Sequence, residues 1–396
     1  MPAVCLYFQA HQPFRLRRYP YLEVGKGGPY EDEALNRRLL DRVARRCYLP
    51  ANDLLMGLID GHGGRFRFSL SLSGCLLDQL ELWRPDVLES FRALAGTGAV
   101  EFLGETDSHS LAFVYSPREF VRQVEDHAGR VERLFGHRPV TFRHTELIYS
   151  DEVAAAAGDL GFEAILAEGA PDLLGRRTAG VPYRPAARPR MRILLRNARL
   201  SDDVAFRFSR RDWEGYPLTA ERYAAWIRGA GAEGGVVNLF MDYETFGEHQ
   251  WEETGIFAFL AALPGEVLKG DDWVFATIRE AAYLVPDGGE LPCPRLVSWA
   301  DQERDLSAWA GNAMQRDALE TLYSLEPLIG GRFDSRLHGT WRRLQTSDHF
   351  YYMSTKGRGD GEVHGYFNPY ASPHDAYINY MNVLDDFARE VRKEAP

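Results

Sequence analysis

Short apolar runs rich in β-branched and aromatic residues recur through the first 280 or so positions, with stretches of helical periodicity between them. These runs predict strands at 3–8, 65–72, 100–103, 140–143, 163–167, 192–195, 236–241 and 273–276. Because strands alternate with helices, the sheet is expected to be parallel. Seven or eight such units suit a closed (β/α) barrel, and a doubly wound open sheet is the alternative.

Two helices can be placed from their end signals. Ser116 and Glu119 have the spacing of a capping box around Pro117, and the helix that follows is expected to stop at Gly136. Ser150 marks the start of the next helix. The segment 176–190 is rich in Pro and Arg and is predicted to be a surface excursion.

The pattern changes after a Pro- and Gly-rich segment at 286–294. Beyond it, 317–328, 336–346 and 372–394 have helical periodicity and no strand candidate appears. The sequence therefore predicts an α/β chain with two domains. The first, 1–290, is the barrel, and the second, 291–396, is α-helical and follows it.

Composition narrows the classes of function. The chain has 57 Asp and Glu against 46 Lys and Arg, a formal net charge of −11, and its Arg residues form no tract. Nucleic acid is therefore an unfavourable partner. The four cysteines lack metal-ligand spacing, and no stretch has the length and apolar character of a signal or a membrane span. A cytoplasmic protein without a membrane partner is expected.

Polar residues follow several of the predicted strands. His11 follows the first strand, residues 101–105 lie at the end of the third, Glu146 follows the fourth, and Asp242 and Glu244 follow 236–241. In a parallel barrel these strand ends meet at one face, where active sites are built. The alternative is that these polar residues have no function, because strands of any α/β protein end in polar turns.

Paired carboxylates at such a face suit cleavage of a glycosidic bond. One carboxylate must attack or stabilise the sugar carbon, and the other must protonate the departing oxygen. Glu146 and Asp242 lie on different strands and could face each other across the barrel mouth. Aromatic side chains near these clusters, among them Trp251 and Trp309, could stack on sugar rings.

Metal-assisted hydrolysis is the competing chemistry. The potential ligands are His11, His109, His144, His249, Asp107 and Asp242. No HExxH motif occurs, so local spacing does not favour zinc, and neither a GxSxG elbow nor a P-loop is present.

Taken in order, five stretches make the sequence similar to glycoside hydrolase family 57, in its α-amylase-like group. They are 11–13, 99–105, 142–147, 241–249, and 298–301 continuing through 305–312. The resemblance implies a (β/α)7 barrel followed by an α-helical domain, so one of the eight strand candidates is in excess, and 273–276 is the weakest.

The resemblance also assigns roles. It implies a retaining mechanism on α-1,4-glucans or maltooligosaccharides without a cofactor, with Glu146 as nucleophile and Asp242 as general acid/base. The residues expected to contact the sugar are His11, Glu101, Glu244, His249, Trp251, Asp305 and Trp309. Two departures from the group's pattern are His144, where Asn is expected, and Ala310, where a bulkier residue is common.

Other functions stay open from the sequence. Within the same chemistry, a 4-α-glucanotransferase or branching enzyme differs only in whether a sugar hydroxyl or water reaches the intermediate. A metal-dependent carbohydrate deacetylase and a non-hydrolytic glucan-binding protein are the alternatives from other classes. Nothing in the pattern predicts an oligomeric state.

Overall fold

The computed structural model describes residues 1–232, 235–270, 272–329, 336–356 and 367–394. Each of the eight predicted runs forms a strand, and the pairings between these strands are parallel. The strands are β1 Ala3–Ala10, β2 Phe68–Leu72, β3 Val100–Phe102, β4 Thr141–Phe142, β5 Ala164–Glu168, β6 Arg192–Arg196, β7 Val236–Asp242 and β8 Val274–Phe275.

Seven strands close into a ring. β3, β2, β1 and β7 are neighbours in that order, and β4, β5 and β6 form a second run. Hydrogen bonds join the runs at both seams, from Gly104 N to Thr141 O at 2.9 Å and from Asn197 N to Asn238 O at 2.8 Å. The chain is therefore a (β/α)7 barrel and not an open doubly wound sheet. β8 pairs with the first two residues of β1 and is not part of the ring.

Side chains alternate between the inside and the outside of the ring, as the strand period requires. On β1, Val4, Leu6 and Phe8 pack outward with the helices, whereas Cys5 and Tyr7 lie in a separate interior cluster. This alternation delivers the next inward residues to the carboxyl-terminal mouth of the barrel, where the interior becomes polar.

Helices follow the strands and cover the ring. In chain order they are α1 Glu33–Val43, α2 Leu49–Gly61, α3 Gly74–Trp83, α4 Pro85–Gly96, α5 Ala112–Tyr115, α6 Pro117–Phe135, α7 Asp151–Asp159, α8 Pro171–Leu174, α9 Ala198–Ala205, α10 Ala220–Gly231, α11 Ile256–Val267, α12 Ile278–Leu284, α13 Ser307–Ala310, α14 Ala313–Ser324, α15 Glu326–Ile329, α16 Arg336–Leu344, α17 Ser347–Tyr351 and α18 Pro373–Glu394. A π-helical turn, Ala44–Tyr48, joins α1 to α2. No helix in the described ranges combines the length and apolar character needed to cross a bilayer.

The predicted helix ends are largely correct. The Ser116 hydroxyl accepts a hydrogen bond from Glu119 N, and α6 ends at Gly136, whose φ of 85° is the left-handed region that glycine favours. The capping box is only half formed, because the Glu119 carboxylate instead accepts from Gln123 and from Arg342 of α16. Ser150 caps α7 as predicted.

The helices after residue 306 pack on the barrel through one apolar cluster. Phe142, Ile165 and Ile193 of β4–β6 share this cluster with Trp341 of α16 and Phe387 of α18. The three predicted carboxyl-terminal helices are present, the first of them divided into α14 and α15. The division into 1–290 and 291–396 stays a prediction, because the shared cluster crosses it.

Candidate active site

The two carboxylates singled out from the sequence line one cavity at the barrel mouth. Glu146 follows β4 and Asp242 ends β7, and both border a cavity of about 510 Å³ together with His11, Glu244 and His249. These five predicted site residues are therefore brought together by the fold.

Glu146 is held by its backbone and by three side chains. It lies in the 3-10 turn Thr145–Leu147 with a φ of 56°, and its side chain is nearly buried. One carboxylate oxygen, Oε2, accepts from Trp299 Nε1 at 2.7 Å. The other, Oε1, is 3.3 Å from His109 Nε2 and 3.5 Å from Ser347 Oγ. A positive φ at a residue other than glycine is strained and marks a position that its surroundings enforce.

Asp242 and Glu244 reach the same cavity from the end of β7. Glu244 Oε1 accepts from the Tyr48 hydroxyl at 2.5 Å and from His11 N at 3.2 Å. Burial and the neighbouring charge of Asp242 raise the pKa of Glu244 to about 8. Glu244 is therefore mostly protonated at neutral pH.

Two histidines stack at the centre of the mouth. The rings of His11 and His109 lie 3.9 Å apart between centroids, with 18° between their planes. His11 binds Ser73 Oγ through Nδ1 at 2.7 Å and Asp348 Oδ2 through Nε2 at 2.8 Å. Burial, reinforced by the nearby charge of His109, lowers the pKa of His11 against the opposing effect of Asp348. His11 is thus a neutral ring that the carboxylate of α17 orients.

His109 lies between two carboxylates. Its Nδ1 is 3.2 Å from Glu105 Oε2 and its Nε2 is the atom that meets Glu146. Although burial opposes the charge, these two hydrogen bonds raise the pKa of His109 to about 9. Burial would also raise the pKa of Glu105, but His109, His127 and Arg143 lower it to about 2. His109 thus lies between two carboxylates, with one ring nitrogen facing each of them.

Trp299 forms the wall behind Glu146. The guanidinium of Arg143 lies 5.0 Å from the indole centroid and that of Arg196 lies 5.7 Å from it. Arg196 is paired with Glu168 and Asp202. Arg143 is fully buried, and no described residue accepts a hydrogen bond from its guanidinium. Two guanidinium groups therefore contact the indole ring, and its N–H donates to the Glu146 carboxylate.

A second cavity of about 590 Å³ adjoins the first on the far side of Asp242. Asp242, His249 and Trp299 line both cavities, whereas Glu146 lines only the first. The other residues that line the second cavity have charged, polar or apolar side chains. These are Arg196, Asp202, Ala205, Phe206, Met241, Thr245, Ala300, Asp301, Arg304 and Tyr351.

Four residues expected to contact the sugar lie elsewhere. Glu101 points into the barrel below the mouth, where Ser69 Oγ, Thr141 Oγ1 and Arg279 N donate to its carboxylate. The structure places Glu105 in the site instead.

The other three residues belong to segments outside the strands of the barrel. Trp309 is completely buried in the cluster of the carboxyl-terminal helices, so sugar cannot reach it in this structure. The Asp305 carboxylate accepts from Ser307 N at 2.8 Å and borders neither cavity. Trp251 is about half exposed on the surface and also borders neither cavity.

Sequence reasoning missed Trp299, Arg143 and Ser347, and it considered His109 only as a metal ligand. Trp299 and Ser347 come from segments beyond the barrel, so strand-end reasoning could not find them. His144, another metal candidate, faces outward and stacks on Phe120 at 5.4 Å. Within the described ranges, His, Cys, Asp and Glu side chains form no group of three or more that could hold a metal ion.

The chain is similar in sequence to known proteins. Residues 5–294 match Glycosyl hydrolase family 57. A protein of Methanocaldococcus jannaschii, provisionally named an alpha-amylase, is 41% identical over 403 residues, covering 98% of this chain and 84% of that protein.

Two solved structures have a similar fold. The GH57-type branching enzyme of Pyrococcus horikoshii superposes with a TM-score of 0.66 at 15% identity, over 92% of this chain and 87% of that one. The α-amylase AmyC of Thermotoga maritima superposes with a TM-score of 0.63 at 13% identity, over 99% and 96% of the two chains. At these identities the likeness concerns the fold alone.

Proposed function

The chain belongs to glycosyl hydrolase family 57, and on that premise we propose that it is a retaining enzyme acting on α-1,4-linked glucans, with Glu146 as nucleophile and Asp242 as general acid/base. The observation that carries the proposal is that these two carboxylates, delivered by strands on opposite sides of the ring, line one cavity. Retention needs a nucleophile and an acid/base facing the same glycosidic bond.

The first half-reaction follows from the contacts of Glu146. The short Trp299 bond holds Oε2, so we assign the attack on the anomeric carbon to Oε1, whose contacts are longer. As the C1–Oε1 bond forms, the C1–oxygen bond to the leaving sugar breaks and Asp242 gives that oxygen its proton. In the second half-reaction Asp242 takes a proton from the incoming hydroxyl as its oxygen displaces Glu146.

The two cavities divide the substrate. The cavity that contains both carboxylates holds the sugar that is attacked. Because the acid/base belongs beside the leaving oxygen, the cavity that shares Asp242 but not Glu146 holds the departing sugars. In that cavity Trp299, Phe206 and Tyr351 supply apolar surface for sugar rings.

Glucan transfer is a second candidate activity, and the second cavity favours it. The second cavity lies beside Asp242, and its apolar side chains could keep an acceptor sugar in place after the first product leaves. Its hydroxyl would then compete with water for the glycosyl intermediate. Structural relatives with branching activity have the same fold, which is compatible with either outcome.

The first test is a product time course on maltoheptaose and amylose, resolved by chain length and anomer. Glu146→Gln is expected to abolish turnover with folding retained, and Asp242→Asn to reduce it by a factor on the order of 10³ or more. Asp242→Asn should keep far more activity on α-glucosyl fluoride, because fluoride leaves without a proton. Glu221→Gln changes an exposed carboxylate on α10 that borders neither cavity, and this control should behave as wild type.

Each outcome has a distinct meaning. Shorter α-anomeric products that vanish in Glu146→Gln support a retaining hydrolase, and products longer than the substrate support a transferase. Full activity in Glu146→Gln would refute the assignment. Binding of maltooligosaccharides without any product would make the protein a non-hydrolytic glucan-binding homologue.

A further inference from the structure

His109 is a buried titratable group at the centre of the mouth that the two-carboxylate mechanism does not use. It lies between Glu105 and Glu146, with nitrogen to oxygen distances of 3.2 and 3.3 Å, and is 2% exposed. Each ring nitrogen therefore meets a different carboxylate. A neutral imidazole has one N–H and can donate to only one of them, whereas a protonated ring donates to both.

The backbone holds His109 in this position at a cost. Its φ is 50°, the left-handed region that residues other than glycine rarely adopt. His109 N donates to Thr106 O at 3.0 Å, and His109 O accepts from Ser347 N at 3.0 Å. Strained backbone of this kind persists where the surrounding contacts over-determine it, and it concentrates at functional sites.

One face of the His109 ring is covered by His11. The stacked geometry prevents the ring from rotating away from the two carboxylates. His11 is fixed in turn by Ser73 Oγ and by Asp348 Oδ2. The position of His109 thus depends on α3, which Ser73 caps, and on α17.

We propose that His109 is a positioning residue for the nucleophile: its protonated ring clamps Glu146 and Glu105, keeps Glu146 an oriented carboxylate, and makes it ready for attack. The proposal rests on the proposed role of Glu146. Electrostatics gives the reason for this role. Two buried carboxylates on either side of one ring repel each other, and a cation between them offsets the repulsion.

Every charged or titratable group that faces the ring takes part in this balance. Glu105 and Glu146 favour the protonated form of His109, and Arg143 opposes it. His11 stacks on the ring as a neutral group and connects it to Asp348. Without the cation, burial and the charge of Glu105 would favour the protonated form of Glu146, which cannot attack.

His109→Gln is the test, because glutamine keeps a hydrogen-bonding side chain but not the charge. We expect kcat on maltoheptaose to fall about ten-fold or more with KM within about three-fold. The acid limb of the kcat/KM profile should move upward by about one pH unit. His144→Gln makes the same chemical change two residues from Glu146 on an outward-facing ring, and its pH profile should match that of wild type. An acid limb of His109→Gln that superimposes on wild type would overturn the proposal.

A second measurement does not depend on turnover or on the folding of that variant. Nitrogen-15 NMR of the wild-type chain at pH 7.5 should show one buried histidine with both ring nitrogens protonated, and Glu146→Gln should lower its pKa. A neutral His109 in the wild type would refute the clamp even if the enzyme is active. A wild type without glucan turnover that keeps the doubly protonated ring would refute the proposed function and leave the clamp standing.

Discussion

Glu244 is a carboxyl group whose surroundings disfavour its charge. It is buried beside Asp242, so its pKa is about 8, although a glutamate in an unfolded chain titrates near 4.5. Below pH 4.5 both states of the protein hold this proton. Between pH 4.5 and about 8 the unfolded chain loses it and the folded chain keeps it, so ionisation favours unfolding throughout that window.

The free energy of unfolding should therefore fall as pH rises through this window, by up to about 1.4 kcal/mol per pH unit from this group. Glu244→Gln keeps an oxygen that can accept from Tyr48 and His11 but removes the titration. The variant is expected to gain stability relative to wild type between pH 5 and pH 9 in urea denaturation. Glu253→Gln alters an exposed glutamate on the same loop and should show no such gain. An equal stability difference at both pH values would contradict a raised pKa for Glu244.

Some residues of the candidate site were predictable from the pattern of the sequence, and others were not. Glu146, Asp242 and Glu244 were predicted because each lies at the end of a strand or just after it, and strand ends meet at the mouth of the barrel. The same rule favours Glu105, which lies beyond β3, over Glu101, which lies within it. Whether the Glu101 side chain points into the barrel depends on the pleat of β3. That strand has only three residues, and a sequence pattern locates the bounds of so short a strand poorly. The burial of Trp309 could not be predicted, because a core tryptophan and a sugar-stacking one are identical in sequence.

At the scale of elements, α9 forms one side of the second cavity. Its last residue, Ala205, is nearly buried and borders the cavity, while Ala198 at its first position does not. Ala205→Leu adds apolar volume to the space assigned to departing or accepting sugars. Cleavage and transfer on maltoheptaose should fall about ten-fold or more, whereas hydrolysis of α-glucosyl fluoride, whose leaving group is one atom, should change little.

Ala198→Leu is the matched control on the same helix and should leave both rates near wild type. If Ala205→Leu loses as much activity on α-glucosyl fluoride as on maltoheptaose, the second cavity does not hold the departing sugars. If Ala205→Leu keeps the wild-type rate on both substrates, the second cavity does not bind substrate. Both comparisons are made on kcat/KM, with thermal melting to exclude a folding defect.

The elements themselves were predictable because local rules decide them. A run of apolar residues predicted β1, which is buried at all eight positions, and the serine cap and Gly136 predicted the ends of α6. What local rules could not supply is the contact between α17 and the barrel mouth, where Ser347 and Asp348 reach Glu146 and His11. Such contacts depend on packing between segments about 200 residues or more apart in sequence.

At the scale of the whole molecule, the barrel and the carboxyl-terminal helices share both a core and a site. The strands β4–β6 turn apolar side chains outward into the cluster that α14, α16 and α18 complete. Glu146 meets residues from both sides of position 290, since His109 lies before that boundary and Trp299 and Ser347 lie beyond it. A cut of the chain at position 290 would therefore separate side chains that pack together and side chains that meet at Glu146.

A chain ending at residue 290 should consequently fail to fold, because it would expose Phe142, Ile165 and Ile193 on the outer face of the barrel. Full-length protein is expected to unfold in one calorimetric transition, with the van't Hoff enthalpy close to the calorimetric one. Val383→Ala in α18, a fully buried position of the shared cluster, should lower stability by about 1–3 kcal/mol and shift that single transition as a whole. Ile378→Ala, on an exposed position of the same helix, is the control and should have little effect. Two separable transitions, with only one of them moved by Val383→Ala, would show that the helices form an independent domain. Glu146 could then lose its Ser347 contact while the barrel stays folded.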